Sequence, residues 1–174
     1  METIRDLVAD VPRPGRLCWL GLRSSKRGPM QVVEQADALA GLGLQGDRKA
    51  RGAPKPHGRR HVTLIQHEHL AVIGALLDQG PIDPLLLRRN LVVRGINLRV
   101  LRDRRFRIGG AVLEGTGDCH PCSRMEEALG AGGYQAMRGH GGLTARVLES
   151  GTLRLDDEVL LLPAPSDDVL ATPI

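Results

Sequence analysis

Cys119-His120-Pro121-Cys122 sets two of the chain's three cysteines one helical turn apart, directly after the strand-like run Gly110-Ala111-Val112-Leu113-Glu114. A thiol at the end of a strand can be aimed into a cavity, and positive charge beside it favours the thiolate. The chain has that charge in quantity. Of its 24 basic residues, 21 are arginine, and only Lys26, Lys49 and Lys55 are lysine. The pattern fits a soft ligand for a metal cofactor or a sulfur-carrying nucleophile. The plainer reading is a pair of buried cysteines acting as small hydrophobes. A zinc site needs four ligands. Cys119, Cys122 and His140 would supply three of them, with no second Cys-x-x-Cys to help. A thioredoxin-type pair has this spacing, but no strand–helix–strand unit surrounds it in the sequence.

Other residues point to an anion. Arg88-Arg89-Asn90 precede the apolar run Leu91-Val92-Val93. Guanidinium groups grip phosphate or carboxylate with two parallel bonds, and the amide adds a donor and an acceptor. In an extended stretch successive side chains face opposite ways, so one of the two arginines would point outward. Arg89 and Asn90 are the stronger candidates, with Arg88 beside them. Asp47-Arg48 after Gly46 is either a structural ion pair at a turn or a way of presenting Arg48 to a phosphate. His61, with Arg59 and Arg60, could rim the same site or simply be exposed. His140-Gly141-Gly142 reads as a loop facing a metal or substrate, or as a surface histidine on a glycine turn. Thr116 and Gly117 would shape the approach of backbone to ligand. Residues 49–60 hold Gly52, Pro54, Pro56 and Gly58 among five Lys and Arg side chains and His57. They lack the apolar surface to order themselves and are expected to form a mobile lid, closed by an anionic ligand.

The elements that must position these residues are mostly short strands. Gly15–Arg23, Met30–Val33, His61–Ile65, Leu91–Val93 and Phe106–Ile108 read as strands, as do Ala111–Leu113, Leu143–Leu148, Thr152–Leu155 and Val159–Leu162. Gly109-Gly110 reads as a hairpin turn. Glu34–Ala40 reads as a short helical or extended connector. The clearest helix is Gln66–Gln79, where Leu70, Ile73, Leu76 and Leu77 recur at helical spacing before Gly80-Pro81. Asp83-Pro84 starts a short helical turn with Asp83 as its cap. Arg124–Leu129 is a short helix ended by Gly130. Many strands and few helices predict a mainly β fold, a closed or nearly closed barrel. The expected organisation is an N-terminal extension (1–14), one domain (15–162) and a loose C-terminal tail (163–174).

Composition limits the alternatives. A chain of 174 residues, 41% hydrophobic and 25% charged, suits one domain with its own core. One Phe, one Trp and one Tyr leave that core to aliphatic side chains. They also oppose a single-strand nucleic-acid reader, which stacks bases on aromatic rings. Trp19 and Phe106 are expected in the core. The net charge of +4 hides a strong asymmetry: residues 48–107 hold 14 basic and 4 acidic side chains, the remainder 10 and 16. A basic middle between acidic ends implies a directed field and an anionic ligand. Residues 1–12 include Glu2, Arg5, Asp6 and Asp10 and lack the apolar stretch of a secretion signal. No apolar run approaches transmembrane length. The expected compartment is the cytoplasm, where thiols stay reduced, with no membrane association.

Six runs in order resemble one family: Gly43-Leu44-Gln45-Gly46-Asp47-Arg48, His61-Val62-Thr63-Leu64-Ile65, Leu87–Ile96, Cys119-His120-Pro121-Cys122, His140-Gly141-Gly142 and Gly151–Asp157. Together they resemble the MOSC family, the domain named for the C-terminus of molybdenum-cofactor sulfurase, over roughly residues 15–162. The resemblance implies a β-barrel and a pterin-bound molybdenum site. Cys122 matches the cysteine that ligates molybdenum in the related amidoxime-reducing proteins. Arg48, His61, Arg88, Arg89, Asn90, Thr116 and Gly117 would bind the cofactor, with Cys119 and His140 on the open, substrate-admitting face. The implied chemistry is oxygen removal from a small N-hydroxylated substrate, with electrons from a separate flavoprotein or ferredoxin. An alternative is sulfur transfer through a Cys122 persulfide loaded by a desulfurase. The aminotransferase-like domain of the sulfurase is absent from this sequence, so pyridoxal phosphate is not expected. A basic nucleic-acid-binding barrel is the alternative of another class, supported by charge and opposed by the scarce aromatics.

Overall fold

A computed structural model describes residues 3–163. In chain order its elements are α1 (Ile4–Ala9), β1 (Gly15–Leu22), β2 (Gln31–Val32), β3 (Gln35–Leu39), β4 (Gly43–Leu44), β5 (Val62–Gln66), α2 (His67–Leu76), α3 (Pro84–Leu87), β6 (Leu91–Arg94), β7 (Arg105–Ile108), β8 (Ala111–Asp118), α4 (Ser123–Leu129), α5 (Gly133–Met137), β9 (Leu143–Glu149), β10 (Gly151–Arg154) and β11 (Glu158–Leu161). Seven strands close into a barrel in the order β1-β6-β5-β9-β8-β7-β11, and β11 returns to β1 through Gly15↔Val159 and Arg16↔Glu158. Closure leaves the ring no free edge. The expected mainly β barrel with a few short helices is the observed fold.

Neighbours in the ring are antiparallel except β5 and β6, which run parallel with Leu64 opposite Leu91. A parallel pair needs a crossover, and α2 and α3 provide it. Strand alternation then separates two apolar clusters. Leu64, Leu91 and Val93 face the barrel interior with Leu17, Leu20, Phe106, Leu113 and Val159. Ile65 and Val92 face outward, under a cap built from Leu70, Ile73, Leu87, Met125 and Met137. Phe106 is fully buried inside, and Trp19 packs against the outer cluster. Phe106 is a core residue, as expected, whereas Trp19 is half-buried at the edge of the outer cluster.

The structure sharpens the sequence reading at two points and corrects it at one, the place of β10. Glu34–Ala40 contains a true strand, β3, because Ala36 and Ala38 alternate inward with polar neighbours outward. β10, expected among the closing strands, does not join the barrel. It pairs with β3, and β3 with β4, as a separate three-stranded sheet on which Leu153 is fully buried. The stretch after Gly130 makes a further helix, α5, which the glycines at 130, 132 and 133 conceal in the sequence. Residues 3–10 form a capped helical turn: Thr3 and Asp6 exchange side-chain-to-backbone bonds in a capping box. Residues 164–174 of the expected tail lie outside the described residues. Among the described residues no helix is long and apolar enough to cross a membrane.

Candidate functional site

At one mouth of the barrel the end of β1, the Gly46-Asp47-Arg48 turn, the α3–β6 junction and the β8–α4 loop converge. They enclose a cleft of about 270 Å³ lined by Arg23, Asp47, Arg48, Lys49, Arg60, Arg88, Arg89, Asn90, Cys119 and Cys122, among others. Six of these side chains are cationic and one is a carboxylate.

The carboxylate does not neutralise them. Asp47 is buried and caps the short 3-10 turn at Arg48–Ala50 by accepting the Lys49 N–H at 2.9 Å. Its other oxygen accepts the Arg23 N–H at 3.0 Å and the Asn90 amide at 3.0 Å. The Asp47–Arg48 ion pair considered from the sequence is absent; the carboxylate serves the backbone and Arg48 is left to the cleft. Every ion pair among the described residues lies elsewhere: Arg16–Glu158, Arg94–Asp156, Arg102 with Asp103 and Asp118, and Arg146–Glu114.

Arg23 is only 8% exposed, and its Nε and Nη1 have no hydrogen-bond partner. Buried donors without partners are costly, and a buried charge without one more so. The sequence reading missed Arg23 as a site residue. Its signal was there, a charge ending the otherwise apolar run Leu17–Leu22. Lys49 is half-buried; burial first, then the charge of Arg60, pushes its ammonium below the ordinary lysine range. Arg88 is lowered by burial and then by Arg124, and Arg89 chiefly by burial. All three shifts are led by burial; Asp47 opposes the shift of Lys49, and Glu127 that of Arg88, without cancelling it.

Arg88 and Arg89 both line the cleft, against the expectation that one must point outward. The reason is that the pair is not extended: α3 ends with Arg88 in the left-handed region at φ 59°. Arg88 donates to the Lys26 carbonyl at 3.3 Å, and Arg124 donates to the same oxygen at 3.1 Å. Arg89 is buried, and all three of its nitrogens donate to backbone carbonyls: Gly141 at 2.8 Å, Leu87 at 2.9 Å and Cys119 at 3.1 Å. It clamps the cysteine loop and adds its charge to the cleft. Asn90 is a hub of the same kind. Its amide donates to Gly21 and Asp47, and its carbonyl accepts from the backbone and hydroxyl of Thr63.

The two cysteines differ. Cys119 is buried; its N–H donates to the Gly142 carbonyl at 2.8 Å, and Arg60 Nη2 lies 4.0 Å from its sulfur. Cys122 is exposed, heads α4 and makes no side-chain hydrogen bond. The third, Cys18, is a half-buried thiol against the outer cluster that donates to the Val92 carbonyl at 3.3 Å, its pKa pushed up by burial.

Four candidates stand outside the cleft. The His140 ring packs edge-to-face on His69, centroids 5.0 Å apart, and the Nδ1 atoms of both are buried without partners. Burial first, then His140, lowers the pKa of His69. Only the backbone beside His140 reaches the site, where Gly141 and Gly142 lie so close to Cys119 and Leu64 that a Cβ would strike their carbonyls. His61 is buried rather than exposed. Its Nδ1 accepts the Val147 N–H at 3.0 Å, so its Nε2–H donates to the Lys55 carbonyl at 2.9 Å. Burial lowers its pKa. The Thr116 hydroxyl and carbonyl bond reciprocally with Arg59. Gly117 lies at a bulge between β8 and β9, where its carbonyl accepts from Thr144 at 3.1 Å. These contacts, with Lys55 N–H donating to the Gly41 carbonyl at 2.7 Å, hold the 49–60 loop against the barrel. Among the described residues no group of three or more His, Cys, Asp or Glu side chains is placed to hold a metal, so Cys119, Cys122 and His140 do not assemble as a zinc set.

Solved structures share this architecture at low identity. The YUAD protein from Bacillus subtilis superposes with a TM-score of 0.73 at 20% identity, over 86% of this chain and 96% of that one. YiiM from Escherichia coli gives 0.64 at 20%, over 87% and 72%. YiiM from Geobacillus stearothermophilus gives 0.67 at 13%, over 86% and 76%. No curated protein matches the chain in sequence. The model of the MOSC domain matches residues 47–160, which run from the carboxylate beneath the cleft through the cysteine loop to the last barrel strand, and the chain belongs to the MOSC domain family.

Proposed function

We propose that the chain binds the pterin-bound molybdenum cofactor in the arginine-lined cleft and serves as a reductase of N-hydroxylated substrates. The observation that carries the reading is the cleft's uncompensated charge. Six cations, one of them the buried and partnerless Arg23, surround a space whose only carboxylate is engaged by the backbone. A phosphate-bearing ligand supplies what they lack.

The residues present fit such a group. Arg23, Arg48, Lys49, Arg60 and Arg88 would hold its phosphate. Arg89 and Asn90 fix the walls, the first by clamping the cysteine loop and the second by joining β1, β5 and the Asp47 turn. Cys122, exposed at the mouth and free of other bonds, would offer molybdenum a soft thiolate. When bound, the cofactor supplies two-electron redox chemistry, and the protein supplies orientation and electrostatics. Conversion of N–OH to N–H with loss of water consumes two electrons and two protons, and a flavoprotein or ferredoxin partner would deliver the electrons. The open position of Cys122 also favours a second reading, a persulfide carrier loaded by a desulfurase.

The test is to purify the protein from a host that makes the cofactor and offer it an N-hydroxylated amidine with a chemical electron donor. The reductase reading expects the amidine as product. No turnover by a molybdenum-loaded protein would overturn it, and a persulfide on Cys122, seen by mass after alkylation, would favour the carrier.

A further inference from the structure

A second groove of about 340 Å³ continues from the cleft and shares Arg48, Lys49 and Arg60 with it. Arg51 and Lys55 add two further cations, and no carboxylate lines it. Its remaining lining is small or apolar, with Gly41, Leu42, Ala53 and Gly58, except for His61. Among the described residues Arg51 and Lys55 form no ion pair, and their side chains form no hydrogen bond. Arg59, their neighbour in the same loop, is by contrast engaged by Thr116.

The groove's wall is anchored. Lys55 N–H donates to the Gly41 carbonyl at 2.7 Å, Gly58 N–H donates to the Lys55 carbonyl at 2.8 Å, and buried His61 reaches that carbonyl too. The backbone that carries Arg51 and Lys55 is pinned, and their exposed heads line one hollow together. Gathering them costs repulsion, visible in the pressure of Arg60 on Lys49.

We infer that this groove is a second phosphate subsite beside the cleft that takes the cofactor's own phosphate, centred on Arg51 and Lys55, the two cations the cleft does not share. Its occupant is a phosphate ester whose organic body extends into the cleft. Two sources have that chemistry, a phosphorylated substrate and a nucleotide extension of the cofactor. The inference rests on the cofactor reading for the ligand's destination, while the charge of the groove stands without it.

The experiment is equilibrium binding of AMP, adenosine and inorganic phosphate to the full chain purified from a cofactor-making host, at low salt. AMP and phosphate are expected to bind competitively and adenosine not to bind. The double variant R51A/K55A is expected to bind AMP at least about tenfold more weakly while keeping wild-type molybdenum content. Equal affinity of AMP and adenosine, or AMP affinity unchanged in the variant, would overturn the subsite. If the wild type binds no AMP, mass analysis of the released cofactor decides: a nucleotide on it, lost in the variant, supports the subsite, and a cofactor without one overturns it. AMP binding that depends on Arg51 and Lys55 in a protein devoid of molybdenum would sink the cofactor reading and leave the subsite standing.

Discussion

Arg23 and Arg89 show how the same side chain does opposite work a short distance apart. Arg89 has all its nitrogens on carbonyls, so its removal should cost structure. We expect Arg89→Lys to lose about 2 kcal/mol or more, because an ammonium cannot span the carbonyls of Leu87, Cys119 and Gly141. Thermal unfolding with and without cofactor checks this: destabilisation in both states marks a clamp, and a loss confined to the loaded state marks a ligand contact. Arg23 has two buried nitrogens with no partner, so it should cost stability until a ligand arrives. Arg23→Met is expected to stabilise the cofactor-free protein by about 1–3 kcal/mol and to weaken cofactor retention. Denaturant unfolding with metal analysis would show both effects, and a destabilised empty variant would contradict the assignment. The sequence singled out Cys122 and the Arg88–Asn90 run by residue type and spacing, and these residues line the cleft. It could not separate a clamp from a ligand, since that depends on which carbonyls lie opposite. It marked Arg23 only weakly, as a charge ending an apolar run, because the residue's meaning comes from its burial.

The 49–60 loop was read as a lid because its own residues offer little apolar surface. The structure fastens it by contacts from elsewhere, to Gly41, Thr116, Val147 and Ala145, none visible from local composition. His61 is the fastener most open to test. Its folded pKa lies below the ordinary value of 6.5, chiefly through burial and further through the charges of Arg146 and Lys49, while its bond to Lys55 pulls the other way. Below about pH 6.5 the unfolded chain therefore binds a proton that the folded one resists. The contribution to stability is complete above that pH and is lost as pH falls towards and through the folded pKa. Protonation also removes the Nδ1 acceptor of Val147 N–H. Tryptic cleavage after Arg51, Lys55 or Arg59 should therefore be slow at pH 7.5 and faster after brief exposure to pH 5.5, and His61→Gln should flatten the difference. Equal cleavage at both pH values would mean that the loop is held by its other contacts. Elsewhere, elements with strong periodicity, such as α2 and β5, were legible. β3 and β10 were legible as extended segments, but their pairing outside the barrel depends on contacts far apart in sequence.

The barrel gathers charge that the chain spreads over many elements. The basic middle of the sequence reads as a directed field. Five of its fourteen basic side chains, joined by Arg23, line the mouth where β1, the Asp47 turn, the α3–β6 junction and the cysteine loop meet, while Arg94 and Arg102 pair with carboxylates elsewhere. A closed ring of aliphatic strands with few aromatics was legible from composition and from alternation. The parallel β5–β6 step was not, because a crossover through α2 and α3 is a topological fact that no local pattern encodes. The directed field keeps a nucleic-acid ligand within reach, and its mark would be steep salt dependence without sequence preference. In the proposed function a cofactor is held at this mouth through Cys122, an exposed residue whose change to serine removes no core contact. The most direct test is molybdenum content per chain, with the far-UV spectrum, for wild type and Cys122→Ser purified side by side from a cofactor-making host. The expected result is close to one molybdenum per wild-type chain, about tenfold less in the variant, unchanged spectra, and a smaller loss in Cys119→Ser. A wild type without molybdenum, or a serine variant as fully metallated as the wild type, would contradict the account.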